Sequence, residues 1–256
     1  MCEVLSSAAL PGALREASGV AVDAAARTWV IADDGEPIVF QVDDAGRVVH
    51  EFHLPGVRIE DWEDLVIAAC PTGECFHIGE IGDNLHERPH REILRVPVPE
   101  GTEPTAAHIE RLRFVYPDGP SDAEALVPLD DGSLLVVTKG RNRAVGVYRY
   151  AAPFADDSIR TLEHVQNLTD GLVQVPDQVT GGTADAGRIV LRTYSALYTY
   201  EWTGDSLATN APPIDLRFLG EPQGEGIGAG ADGTLVLVGE GTDGGTFARL
   251  RCAARD

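Results

Sequence analysis

The chain has 256 residues, 43% of them hydrophobic, with 28 Gly and 16 Pro. That length suits one large all-β domain or two small ones, and the Gly and Pro content suits frequent turns. Lys and Arg total 20 against 41 Asp and Glu, a formal net charge of −21; such a surface is soluble, repels nucleic acid and anionic lipid, and attracts divalent cations.

The N-terminal residues Met1 to Ser7 carry neither a basic region nor a long apolar region. No signal peptide is therefore read there. Nor does any stretch of roughly 18 apolar residues appear, so no transmembrane helix is expected. The location is then cytoplasmic, or a leader has been trimmed and the protein is extracellular or periplasmic. The four cysteines favour export. Cys70 and Cys75 flank a hairpin tip, and Cys2 and Cys252 stand near the two ends of the chain. Two disulfides are expected; free thiols are the alternative, and a metal site is weakly signalled without a nearby His.

No segment reads as a long helix. Five segments instead open with a similar pattern: Glu16-Ala17-Ser18-Gly19-Val20, Asp61-Trp62-Glu63-Asp64-Leu65, Asp122-Ala123-Glu124-Ala125-Leu126, Asp177-Gln178-Val179-Thr180-Gly181 and Gln223-Gly224-Glu225-Gly226-Ile227. Their first positions are 45, 61, 55 and 46 residues apart, a repeat of the kind propeller blades produce. A tight turn and a second strand follow most of them. Asp130-Asp131-Gly132, Asp185-Ala186-Gly187 and Ala231-Asp232-Gly233 are such turns, since Gly accepts positive φ. Third strands follow, and fourth strands are expected at about 48–54, 109–116, 159–168 and 213–219.

The fifth unit has only three strands of its own. The N-terminal segment from about Glu3 to Leu10 supplies the missing one. The fold class is therefore all-β: a five-bladed β-propeller of four-stranded antiparallel blades, in a single domain over 1–256, with the last blade closed by the N-terminal strand. That closure sets Cys2 beside Cys252. A bridge there constrains nearly the whole chain in the unfolded state, worth on the order of 4–5 kcal/mol by loop entropy.

In a propeller the first-strand starts and second-strand ends gather at one mouth of the central channel. This geometry collects Glu16, Asp33, Asp61, Glu63, Asp64, Glu80, Asp83, Asp122, Glu124, Asp177, Glu225 and Glu240. So many carboxylates repel unless protonated or neutralised by a cation. The donors are almost all oxygen, which suits calcium or magnesium and argues against zinc or copper. The expected cofactor is calcium, held by members of the set Asp61, Glu63, Glu80, Asp83, Glu124, Glu225 and Glu240. A solvated acidic vestibule is the alternative. Lys139 and Arg192 break the acidic column; they either pair with neighbouring carboxylates or hold a substrate anion. Tyr194 lies beside them. Trp62 either packs between blades or offers a stacking face. His86 and His90 lie in a polar loop and read as solvated. No Gly-x-Ser-x-Gly elbow or glycine-rich phosphate loop occurs.

With these residues in view, the chain resembles bacterial β-propellers related to the phytase-like esterase family. The carrying segments are the five entrances above, together with Ile78-Gly79-Glu80-Ile81-Gly82-Asp83-Asn84, Val136-Val137-Thr138-Lys139 and Leu191-Arg192-Thr193-Tyr194. The resemblance implies a propeller fold, export, and calcium-dependent phosphoester or ester hydrolysis. The fourth entrance departs from the pattern by lacking the Glu that stands at Glu63, Glu124 and Glu225, and the first has Ser18 there.

Two functions are expected from these readings. The first is a metal-assisted hydrolase, with Glu63, Glu124, Lys139 and Arg192 catalytic and Lys139, Arg192, Tyr194 and Trp62 binding the substrate. The second is a non-catalytic extracellular ligand-binding propeller whose channel metal is structural. The expected partner is a small anionic substrate or ligand, with no nucleic acid and no membrane, and the expected state is a monomer.

Overall fold

A computed structural model describes residues 2–155 and 158–252. The N-terminal strand β1 (Cys2–Ala9) precedes the first blade, β2 (Ala17–Val22), β3 (Thr28–Ala32), β4 (Ile38–Val42) and β5 (Val48–His53). Blade two is β6 (Trp62–Cys70), β7 (Gly73–Glu80), β8 (Arg91–Pro97) and β9 (Glu110–Val115). Blade three is β10 (Ala123–Pro128), β11 (Leu134–Thr138) and β12 (Gly146–Tyr150); its chain then forms β13 (Ile159–Thr161) and β14 (Glu163–Asn167). Blade four is β15 (Val179–Asp185), β16 (Arg188–Thr193) and β17 (Ala196–Trp202), edged by β18 (Leu207–Thr209) and β19 (Ile214–Asp215). Blade five is β20 (Gln223–Ala229), β21 (Thr234–Glu240) and β22 (Thr246–Cys252), completed by β1. The fold is the five-bladed propeller expected from the repeat, closed by the N-terminal strand.

The closing register pairs Cys2 with Cys252, and these residues are disulfide-bonded. Cys70 and Cys75 form the second bridge, across the β6–β7 tip. Only short 3-10 turns interrupt the strands, and no described helix is long and apolar enough to cross a membrane.

Alternation along each strand builds the core. Leu134 and Val136 pack toward blade two, whereas Leu135 and Val137 pack toward blade four. Leu65 likewise faces blade one, and its neighbour Val66 faces blade three. Period-two side chains thus feed two interfaces from one strand, which is why central strands are apolar at every position. Five such clusters, one per blade junction, make up the core.

Two outer strands differ from expectation. The segment 159–168 is split: β13 crosses to pair in parallel with β9 of blade two, and only β14 edges blade three. Buried Leu162 marks the crossing, its N–H bonded to the Val115 carbonyl. In blade four the edge is two short pieces, Leu207–Thr209 and Ile214–Asp215, rather than one strand at 213–219. Pro212 and Pro213 lie between the pieces and cannot donate to a ladder, and Arg217–Leu219 is a 3-10 turn.

Candidate site at the channel mouth

Each inner strand carries a β-bulge near its start. The register slips between Ala17 and Gly19, Trp62 and Asp64, Ala123 and Ala125, Val179 and Gly181, and Gly224 and Ile227. The skipped residues are Ser18, Glu63, Glu124, Thr180 and Glu225 with Gly226; in four blades this is the third residue of the repeated entrance, and in blade four it is the fourth, one past Val179. A bulge leaves its extra residue out of the ladder and re-aims it. Here it turns a polar column toward the axis while the flanking residues stay in the apolar interfaces. Five blades leave a tight ring. A Cβ on Gly19 would stand 2.5 Å from the Leu65 nitrogen, and one on Gly226 2.7 Å from the Ser18 carbonyl oxygen, so glycine is required where the strands converge.

Asp64 is the hub of that convergence. It is fully buried, and its carboxylate accepts N–H groups from Leu65 (2.9 Å), Leu126 (2.8 Å) and Gly182 (3.1 Å). One side chain of blade two thereby fastens the inner strands of blades three and four. Burial pushes its carboxyl upward, while the three N–H donors pull the other way.

Above this hub the acids form two groups. Asp61, Glu63 and Asp122 offer ligand atoms within 4.8 Å of one another, as do Glu16, Asp33 and Glu240. Glu63 stands close to Asp61 and is repelled by both Asp61 and Glu124, a crowding that a shared proton or a cation relieves. Lys139, the chain's single lysine, donates to Glu124 at 2.7 Å and lies near Tyr194. Gln223 donates to both Glu225 (2.7 Å) and Glu240 (2.6 Å). A continuous polar belt therefore runs around the mouth.

Its electrostatics follow from burial and like charge. Burial, then the neighbouring Glu124 and Asp61, hold Glu63 well above the usual range. Burial pushes Glu124 to about 7 despite Lys139. Burial and Glu240 raise Asp33 to about 7, and burial and Glu16 raise Glu240 to about 7. Glu225 is raised well above its usual range by burial and Glu124. Eight carboxyl groups (Glu16, Asp33, Asp61, Glu63, Asp122, Glu124, Glu225 and Glu240) thus share the mouth with one ammonium group.

For Trp62 and Arg192 the structure takes the packing and pairing alternatives and removes the substrate-binding ones, and it gives Glu80 and Asp83 other partners. Trp62 is completely buried between blades one and two and offers no stacking face. Arg192 is also completely buried. Its Nη1 donates to the Gly226 and Val238 carbonyls, both at 2.8 Å, and its Nη2 pairs with Glu221. It satisfies carbonyls at the blade-five bulge and is withdrawn from any substrate. Glu80 accepts the N–H groups of Glu60 (3.0 Å) and Asp61 (2.7 Å) and pairs with Arg88, so it positions the entrance loop rather than a metal. Asp83 pairs with buried Arg91 and accepts the Glu87 N–H, which organises the following loop.

Asp61, Glu63, Glu124, Lys139, Tyr194, Glu225 and Glu240 are brought together as the repeat requires. Asp122, like Glu16 and Asp33, was left out of the expected ligand set although it was placed at the mouth. Its Oδ1 accepts the Asp83 N–H at 2.8 Å, and its Oδ2 is buried without a hydrogen-bond partner. Gly82 backs this group: a Cβ there would overlap the Asp61 and Glu63 carboxylates.

No family model and no curated protein matches the chain. Solved structures do. The PQQ-bound aldose sugar dehydrogenase from Streptomyces coelicolor superposes with a TM-score of 0.55 at 13% identity, covering 98% of each chain. A luciferin-regenerating enzyme gives 0.56 at 12%, over 99% of this chain and 96% of that one. The apo aldose sugar dehydrogenase from Escherichia coli gives 0.53 at 11%, over 98% and 99%. At such identities the likeness is one of fold. These neighbours are enzymes of differing chemistry, so the shared scaffold does not select a reaction.

Proposed function

We propose that the channel mouth of this exported propeller binds a divalent cation, calcium by its donor chemistry, between Asp61, Glu63 and Asp122, and hydrolyses a small anionic phosphoester or ester there. The observation that carries the reading is Asp122 Oδ2, a buried acceptor without a partner in a cluster that offers ligand atoms within 4.8 Å. A buried acceptor left bare is costly, and a hard cation answers both that cost and the like charge of its neighbours. The ion would supply polarisation of a phosphoryl or acyl oxygen. Lys139 holds the substrate anion beside Glu124. Glu124, raised to about 7, is suited to take a proton from water at neutral pH. Tyr194 lies near Lys139 and interacts electrostatically with its ammonium group. The two disulfides support an oxidising compartment, and the resemblance to phytase-like propellers supports the reaction class on motifs alone.

The withdrawal of Arg192 and Trp62 into the core favours a second reading, a ligand-binding propeller whose channel cation is structural. Calorimetric titration with calcium and magnesium chloride, followed by a panel of phosphomonoesters, phosphodiesters, esters and lactones with and without chelator, separates the two. Calcium binding lost in Asp122→Asn, with turnover lost in Glu124→Gln, is the expected result. Binding without turnover leaves the structural reading, and absence of binding by the wild type refutes both.

A further inference from the structure

We infer a second binding site, for a small aromatic amine, in a cleft between blades four and five. Four of the five blade junctions are filled in part by buried aromatic rings, among them Trp29, Phe114, Phe40 and Tyr200. The junction of blades four and five holds no ring among the described residues, only aliphatic side chains such as Val190, Leu197 and Leu235. A cavity of about 250 Å³ opens against these three. An apolar cavity of about 150 Å³ already admits benzene, so a ring with a short arm fits here.

The strand pattern accounts for the void. On β17, Tyr198, Tyr200 and Trp202 pack toward blade three, while the alternate residues Leu197, Thr199 and Glu201 line the cavity. The rings of this strand are thus all spent on the other junction. The break in the blade-four edge at Pro212 and Pro213 leaves no continuous outer strand over the same stretch. Pro212 and Ile214 form part of the wall instead, and Cys252 of the ring-closing disulfide completes the lining from blade five.

The lining grades from apolar to acidic. Leu197 is buried, Thr199 half-buried and Glu201 exposed. The other charged groups of the lining are Asp185 and Arg188, which pair with each other at 3.4 Å. Glu201 makes no ion pair or side-chain hydrogen bond among the described residues, although the register sets Arg188 across from it. Beyond the lining, Asp232 and Arg251 pair with each other at 3.8 Å. The rim therefore carries one carboxylate without a partner, above an aliphatic floor. An ammonium group on a short arm from an aromatic ring satisfies both, the ring filling the floor and the cation meeting Glu201. Asp185 and Arg188 flank the β15–β16 turn, at the opposite end of the hairpin from Val179 and Thr193 at the mouth. The site stands whether or not the channel binds a cation.

Phenethylamine, phenethyl alcohol and phenylacetate, titrated separately by calorimetry, test the site. One equivalent of the amine should bind, the alcohol about fivefold more weakly, the value of one exposed ion pair, and the acid more weakly still. Glu201→Gln should weaken the amine about fivefold and leave the alcohol unchanged. Val190→Phe places a ring in the cavity from its own floor and should abolish binding of both. Should that variant fail to fold, Thr199→Phe fills the same space from a half-buried position. Glu100→Gln, an exposed glutamate after β8, should bind as the wild type does. No binding of the amine, binding no tighter than that of the alcohol, or equal weakening by Glu201→Gln and Glu100→Gln overturns the proposal.

Discussion

Glu124 allows the electrostatics of the channel mouth to be tested without knowledge of a substrate. Burial raises its carboxyl from 4.5 to about 7. The folded chain therefore holds a proton that the unfolded chain has already lost. The sign follows from linkage: the stability this proton brings is fully present below about pH 4.5 and is lost as pH rises through about 7. The shift corresponds to about 3 kcal/mol, or roughly 6–12 °C of melting temperature for a chain of this size. His77 acts in the opposite sense. It is buried with both ring nitrogens unpartnered, and burial depresses it from 6.5 to about 4. Its contribution is present above 6.5 and is lost on acidification. The difference between wild type and Glu124→Gln isolates the carboxyl, because glutamine cannot ionise. Thermal melts in chelator from pH 5 to 8 should show the variant gaining on the wild type by roughly 6–12 °C across that window. Calcium at a hundred times its dissociation constant should add about 2.7 kcal/mol to wild type and variant alike, because Glu124 is not among its ligands, and leave their difference in place. A difference that does not change with pH would refute the argument.

The remaining predictions concern the scaffold around that site. Asp64→Ala removes the shared acceptor of three buried N–H groups and should cost about 3–6 kcal/mol in denaturant unfolding, at 1–3 kcal/mol per orphaned group with partial relaxation. Gly82→Ala drives a methyl group against the ends of the Asp61 and Glu63 side chains. Those ends can swing aside, so the melting temperature should fall little while calcium affinity drops at least about tenfold, read by calorimetry. Cys2→Ser with Cys252→Ser opens a bridge spanning 250 residues and should cost about 5 kcal/mol, against about 2 kcal/mol for removal of the five-residue Cys70–Cys75 bridge. Equal losses from the two bridges would contradict the loop-entropy account.

Local chemistry that recurs was legible in the sequence. The five strand entrances, the turn glycines and the three-strand fifth unit determined the blade count, the closure and the Cys2–Cys252 pairing, because a propeller is a nearest-neighbour assembly whose repeat is written in every blade. The column Ser18, Glu63, Glu124 and Glu225 was visible for the same reason, whereas Thr180 joins it only through the bulge between Val179 and Gly181. Tertiary structure alone decided what each polar group does. Arg192 and Lys139 both lie near second-strand ends, but the register matches Thr138 with Thr193 and so Lys139 with Tyr194; Arg192, two positions earlier, is consumed by carbonyls of blade five while Lys139 remains at the mouth. Asp61 and Asp64 stand three positions apart, but one belongs to a ligand cluster and the other to the axial hub. Those assignments depend on the bulge at Glu63, which changes which neighbours face the channel, and on acceptors supplied by other blades. The crossing of β13 to blade two was equally hidden, since an exposed strand of three residues carries no pattern that names its partner. The stretch Asp61–Asp64 thus determined where the site lies, and the packing of five blades around it decided which of its acids remain available there.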